Sequence, residues 1–353
     1  MTKEELTLLN IGDDLDTLMN LDPRGYGVCR ILYDGARRFT GEPLSVHGAK
    51  GLIKNIKKGE KVFILTGFVL LPWGEAETDG IISSTVLARF LMRAFDAKPV
   101  MIVPSQCKKA IRAMSNVLSF KTTDDLDNIG ENTVCVVEFT KDFDEAEVQA
   151  RDILSHGKPC AVITNEAPGR NKNGCYHNAV GINTTAVEPK YDALFRLCQS
   201  MGIYNLSIGD LGNEIGMAAI EQHIREYIPY AGKNGCKAGT GYGILADTAA
   251  DNIITATCSD WGCNALMAAT AFMLGKPELF HSKEDQATAM DAAAGAGMLD
   301  MYGEPRPYID GIGKNINLPL VSMMKALIEY PPTVEDKTEA WFENTLRKGF
   351  FTK

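Results

Sequence analysis

Six short apolar runs limit what this chain can fold into more than any other feature. KVFILTGF (61–68), KPVMIVP (98–104), NTVCVVEF (132–139), PCAVITN (159–165), YNLSIGD (204–210) and DNIITAT (251–257) are rich in β-branched residues, and turn or polar residues close each one. Their apolarity is continuous rather than alternating, which fits strands buried on both faces of a mostly parallel sheet. Helical stretches lie between them. Residues 81–95 are apolar on most sides, 145–154 are amphipathic, 265–274 are small and apolar, and Met217, Ile220, Ile224 and Tyr227 recur at helical spacing. This alternation predicts an α/β fold, a mostly parallel sheet with helices on both faces.

Residues 1–60 carry no strand signal. An apolar stripe from Leu6 to Leu21 stops at Asp22-Pro23-Arg24-Gly25, and two further helices are expected over 28–39 and 49–57. The segment reads as a helical N-terminal element packed on a core of residues 61–353. The Gly-, Ala- and polar-rich stretch 280–313 is expected to form a cap or a long excursion, and no shift in composition cuts off a second domain.

Charge and cysteine usage exclude several classes. The 45 acidic residues outnumber the 36 basic ones, for a formal charge of −9. A nucleic-acid partner needs a basic face to displace counterions, so none is expected. The acidic start lacks the basic and apolar regions of a signal peptide, and no apolar run approaches the ~18 residues of a membrane span. The nine cysteines contain no C-x-x-C pair. Reduced thiols in a cytoplasmic protein are the simplest reading. Oligomeric state is left open, a homo-oligomer included.

Ligands of open α/β sheets bind at the carboxyl ends of the strands, so the loops that follow the runs are the candidate site. The first loop carries Thr66, Gly67, then Glu75, Glu77 and Asp79 beside Trp73. These acids fit a metal or ligand role, and equally the capping of the helix that follows. The fourth run ends in Glu166-Ala167-Pro168-Gly169-Arg170, with Tyr176, His177 and Asn178 beyond it. An arginine there suits a carboxylate or phosphate, or a Glu–Arg pair on a surface turn.

The fifth run ends in Gly209-Asp210-Leu211-Gly212-Asn213-Glu214. Asp210 and Glu214 can face one hard divalent ion, Mg or Mn, across the turn. Asn213 and Glu214 are expected to open a helix, with Asp210 as its cap in the plainer reading. The last run ends in Thr257-Cys258-Ser259-Asp260, where Ser259 or Asp260 fits a helix cap. A nucleophilic Cys258 has no histidine nearby in sequence to support it.

TGFVLLPWGEAETDG, EAPGRNKNGCYHNAVG, IGDLGNEIGMA and CSDWGCNAL, in this order, resemble the D-glutamate cyclase family, with a weaker match at Tyr308-Ile309-Asp310-Gly311. The resemblance implies an α/β domain over 61–353, a divalent metal (Mn or Mg) and a small acidic metabolite as partner. The implied reaction converts D-glutamate to 5-oxo-D-proline and water. On that basis Glu77, Asp79, Asp210 and Glu214 are the expected metal ligands, and Asp210, Glu166 and Asn213 the catalytic groups. Thr66, Gly67, Arg170, Asn178, Ser259 and Asp260 are the expected substrate contacts, with Arg170 on the α-carboxylate and Ser259 and Asp260 on the amino group. Two alternatives stand beside it: a metal-dependent phosphatase or hydrolase of a small acidic metabolite, and a non-catalytic metabolite-binding protein.

Overall fold

A computed structural model describes residues 2–331 and 343–349. Three helices come first: α1 (Lys3–Met19), α2 (Val28–Thr40) and α3 (Leu44–Asn55). The stripe that begins at Leu6 forms α1, and its end is set by the Asp22 side chain, which accepts from Gly25 N at 2.9 Å and Gly27 N at 2.7 Å. The third helix starts earlier than residue 49, because buried Asp16 caps it from a distance, accepting from Leu44 N and Ser45 N.

The sheet follows the apolar runs. After β1 (Lys61–Thr66) comes a small hairpin, β2 (Val69–Leu70) and β3 (Glu75–Ala76), then α4 (Ile81–Phe95) and β4 (Lys98–Val103). Next are α5 (Lys108–Val117), β5 (Lys121–Thr123), β6 (Thr133–Glu138), α6 (Phe143–Ser155) and β7 (Pro159–Asn165). The chain continues with α7 (Asp192–Ser200), β8 (Tyr204–Gly209), α8 (Glu221–Tyr227), β9 (Asn252–Thr255), α9 (Ser259–Met273), α10 (Lys283–Gly295) and α11 (Lys314–Glu329). All six runs are strands. The seventh strand, β5, is a polar three-residue edge strand that carries no apolar signal.

The sheet order is β5-β6-β4-β1-β7-β8-β9, and every pair is parallel. From β1 the chain builds outward on the β4 side, then returns to place β7 on the other flank. The order therefore reverses between β1 and β7. In such sheets the crevice outside the strand ends at that reversal is the binding position.

Helices flank the sheet, with α1 and α3 packed on α9, α4 and α11 packed on α9, and α6 packed on α7. Leu15, Met19, Leu32 and Leu44 are fully buried in the same core as the sheet residues. The expected face of Met217, Ile220, Ile224 and Tyr227 holds only for the first three. A 3₁₀ turn at Ala218–Ile220 changes the pitch before the short α8, so Tyr227 ends half exposed. Stretch 280–313 contains α10, capped by Ser282 with Asp285, and then a loop that carries Asp300 and Asp310 back to the strand ends. Among the described residues no helix is long and apolar enough to cross a membrane.

Candidate functional site

Two helices begin at the β1–β7 crevice, and each is capped by the other's acid. Asp79, just before α4, accepts from Ser259 N at 3.0 Å and Asp260 N at 2.9 Å, at the start of α9. Asp260, in the first turn of α9, accepts from Gly80 N at 2.5 Å and Ser83 N at 2.6 Å, at the start of α4. Both acids are buried. Free amides and the positive end of each helix dipole compensate them. Asp260 thus has both oxygens engaged by main chain, which sets it apart from the expected contact with a substrate amino group. Burial first, and Asp79 second, hold its carboxyl well above the usual range.

No helix opens at Asn213, contrary to expectation; helical structure resumes only at Ala218. Instead the 210–214 turn folds back on itself. The amides of Asp210, Leu211 and Gly212 all donate to the Glu214 carboxylate, at 2.9, 2.7 and 2.7 Å. The amide cradle of this turn is filled by the chain's own acid. Gly209 makes room for it, since a Cβ there would lie 2.6 Å from the Glu214 carboxyl carbon. Asn213 is tied by its amide nitrogen to His177 O at 3.0 Å, and its Oδ1 is buried with no partner.

Five acids converge here as two overlapping triads. Asp79, Asp210 and Asp310 each bring one oxygen within 4.8 Å of the others, as do Glu166, Asp210 and Glu214. Asp210 belongs to both, and its Oδ1 is the one carboxylate oxygen of the five that is buried with no partner. Burial, then Glu166, Asp310 and Asp79, push its carboxyl far above the normal range. The Glu166 carboxyl is raised by burial, Glu214 and Asp79, and its Oε2 accepts from Ser259 Oγ at 2.5 Å.

Glu166 (φ 46°) and Asp310 (φ 49°) both sit in the left-handed region. That conformation costs a non-glycine residue roughly 1–3 kcal/mol, and it recurs where a site must aim a side chain. Glu77 is half-buried and lies outside both triads. Burial, Asp310 and Asp79 still raise its carboxyl strongly.

Asp310 and Arg24 were not among the expected site residues. Asp310 had a trace in the weak match at 308–311, whereas Arg24 looked like part of a helix stop. The rigid Asp22–Gly27 turn carries Arg24 into the crevice, where it donates to the Asp310 carboxylate and to Thr257 O at 2.6 Å. The N-terminal element thereby supplies the cation that faces the acids.

Arg170, the expected α-carboxylate contact, stands elsewhere. Its guanidinium lies 4.0 Å from Asp247, in a groove between α6 and α7. Asn178 is engaged in its own turn, its Oδ1 accepting from Val180 N and Ile182 N. Thr66 and Gly67 lie at the crevice. Thr66 Oγ1 is buried with no partner and stands 3.0 Å from where a Gly80 Cβ would be. Gly67 (φ 107°) donates to Glu166 O at 2.9 Å. Cys258 is fully buried, and desolvation followed by the charges of Asp79 and Asp310 pushes its thiol up, away from the thiolate a nucleophile needs.

Fold and site together define a doubly wound α/β protein with a buried, hard-oxygen carboxylate centre at its strand-order reversal. The chain belongs to the family described as D-glutamate cyclase-like, C-terminal, whose model matches residues 15–325. It is similar to the human (Homo sapiens) protein named "D-glutamate cyclase, mitochondrial", at 26% identity over 264 residues. That match covers 72% of this chain and 38% of the relative, so the chain spans well under half of the relative's length.

Proposed function

We propose that this protein is a metal-dependent lyase that cyclises D-glutamate to 5-oxo-D-proline and water. The observation that carries the reading is Asp210. It is a buried carboxylate with one unpartnered oxygen, shared by two triads at the strand-order reversal, in a chain of this family.

The donor set fits a Mg or Mn ion, because every candidate ligand is a hard carboxylate oxygen. Asp210 would hold it, with Glu166 or Asp310 from the flanking triads. Glu214 and Asp79, saturated by main-chain amides, would orient the others. When bound, such an ion supplies Lewis-acid polarisation of the γ-carboxyl and charge stabilisation at its oxygens.

The chain's own groups account for binding and proton movement. Cyclisation forms a bond from the amine nitrogen to the γ-carbon and breaks that carbon's bond to one oxygen, which leaves as water. The ammonium must first lose a proton. Glu166, its carboxyl held well above the usual range by burial, is the group to accept that proton, to take a second from the nitrogen once the N–C bond has formed, and to deliver each in turn to the oxygen that leaves as water. Ser259 Oγ, donating to Glu166 Oε2, fixes that carboxyl's orientation. Asn213 Oδ1 and Thr66 Oγ1, both buried and unpartnered, would accept from the ammonium. Arg24, with its Nε buried and unpartnered, takes the carboxylate-holding role earlier expected of Arg170.

The test is incubation of the purified protein with D-glutamate, L-glutamate and a phosphomonoester, each with Mn or with EDTA. The reading expects 5-oxo-D-proline from the D-isomer only, and only with metal. Phosphate release without 5-oxoproline would replace it with the phosphatase alternative. Recovery of every compound unchanged would favour a binding protein.

A further inference from the structure

Arg24 reaches the carboxylate centre from an anchored turn. Thr257 N donates to Met19 O at 2.9 Å and Thr257 Oγ1 to Leu21 O at 2.6 Å, on the chain just before the Asp22–Gly27 turn. The guanidinium donates to Thr257 O at 2.6 Å, to the Asp310 carboxylate and, at 3.3 Å, to Asp310 O. Arg24 is the outer member of this pair, its side chain 19% exposed against 8% for Asp310. The exposed Tyr26 ring lies 5.6 Å from its Cζ, within cation–π range. The backbone thus fixes where the arginine starts, while the long stem leaves its charged end free to turn.

Asp310 has two roles that conflict. Its carboxylate is the partner of Arg24, and it also brings one oxygen within 4.8 Å of Asp79 and Asp210, in a set that fits a hard divalent ion. An ion in that triad would be a second cation on one buried carboxylate. Like charges repel strongly where water is scarce, so ion and guanidinium compete for Asp310. Once displaced, the guanidinium needs another anion, because a largely buried charge without a partner is unfavourable. The other acids do not offer one. Asp79 and Glu214 are taken up by main-chain amides, and Asp210 and Glu166 face the ion themselves. A carboxylate on an incoming ligand supplies it, with two oxygens for the planar fork.

We propose that Arg24 is an ion-operated latch. In metal-free protein it closes on Asp310, and an ion that takes Asp310 frees the guanidinium to receive a carboxylate of the ligand. Binding is therefore ordered, ion first and ligand second. It favours a short dicarboxylate, with one acid group at the ion and the other on Arg24. The latch rests on the metal-centre reading given above, but not on which reaction follows.

The test is calorimetry on the full-length protein with glutarate, a dicarboxylate that has no amine to cyclise. Wild-type protein should bind glutarate saturably with Mn, and at least ~10-fold more weakly in EDTA. Asp310→Asn keeps the side chain's shape and tolerates the left-handed φ of 49°, but removes the charge that holds the latch shut. In EDTA it should bind glutarate more tightly than the wild type does. Arg24→Met should keep Mn binding and lose glutarate affinity at least ~10-fold, with the charge-conserving Arg24→Lys in between. Equal glutarate affinity with and without Mn in the wild type, no gain in Asp310→Asn, or full affinity in Arg24→Met would overturn the latch. Wild-type protein that binds no Mn would remove the metal reading and the latch together. Glutarate binding as expected, with no 5-oxo-D-proline from D-glutamate, would uphold the latch and remove the cyclase reading alone.

Discussion

The carboxylate centre and the α6–α7 groove both concentrate charge, but they hold it by opposite means. In the centre the charges are short acidic side chains in the dry interior, and the backbone satisfies them. Three amides hold Glu214, two from α9 hold Asp79, and two from α4 hold Asp260. In the groove the charges sit on long basic side chains that reach toward solvent, and acidic side chains neutralise them, as Asp247 does Arg196 and Glu147 does Arg151. A carboxylate is too short to bring its charge to water from the core, so it depends on main-chain geometry. A guanidinium on a flexible stem tolerates its surroundings. The first region should therefore break at single atoms, and the second should yield gradually.

The sharpest break is at Asp210. Asp210→Asn should abolish calorimetric binding of Mn and lower D-glutamate turnover by ~10³-fold or more, since one group serves both triads. Unchanged Mn affinity would remove it from the ligand set.

Next is Arg24. Arg24→Met leaves the buried Asp310 without its counter-ion, and removing one partner of such a pair costs about 3 kcal/mol. Chemical denaturation should show that loss. The same variant should bind Mn more tightly, because a competing cation has left the acids. A weaker Mn affinity would mean that Arg24 supports the ion rather than opposing it.

Gly209→Ala comes third. The added methyl meets Glu214 at 2.6 Å and must push it from its amide cradle, for a loss of about 1–3 kcal/mol. Gly232→Ala, where a Cβ meets nothing within 4 Å, is the control and should leave the denaturation midpoint nearly in place.

A pH titration samples both regions together. Burial raises Asp16 and Asp192 to about 6 and Glu188 to about 8, and it raises Asp210 and Glu166 as well. Between the unfolded carboxylate range near ~4 and those values, the folded chain binds more protons than the unfolded one, so stability falls as pH rises. Metal-free protein should melt higher at pH 5 than at pH 8, with a slope on the order of 1 kcal/mol per pH unit. Added Mn at pH 8 should recover the part due to the acid centre. A flat profile without metal would show that the amides fully offset burial.

The smallest effect is expected in the groove. Arg151→Ala removes an exposed i,i+4 pair with Glu147 and should change stability by no more than ~0.5 kcal/mol.

The strands were legible because continuous β-branched apolarity is a local property, visible in any seven residues. The loops that carry Asp79, Glu166, Asp210 and Asp260 could then be located, since strand ends follow from strands. What each acid does there was not legible. A carboxylate after a strand has one signature whether it caps its own helix, caps a distant one, or waits for a metal. Asp79 and Asp260 cap each other's helices across 181 residues of chain. Glu214, expected to face a metal ion, instead takes three amides of its own turn.

By itself, then, the sequence determined the α/β class, the six main strands and the place where acids would gather, because these depend on neighbours along the chain. Only the tertiary structure decided that Arg24 meets Asp310 across 286 residues, and that Arg170 belongs to a different cavity. Electrostatic partners are chosen by distance in space, and the sheet's strand order, which no local pattern encodes, sets that distance.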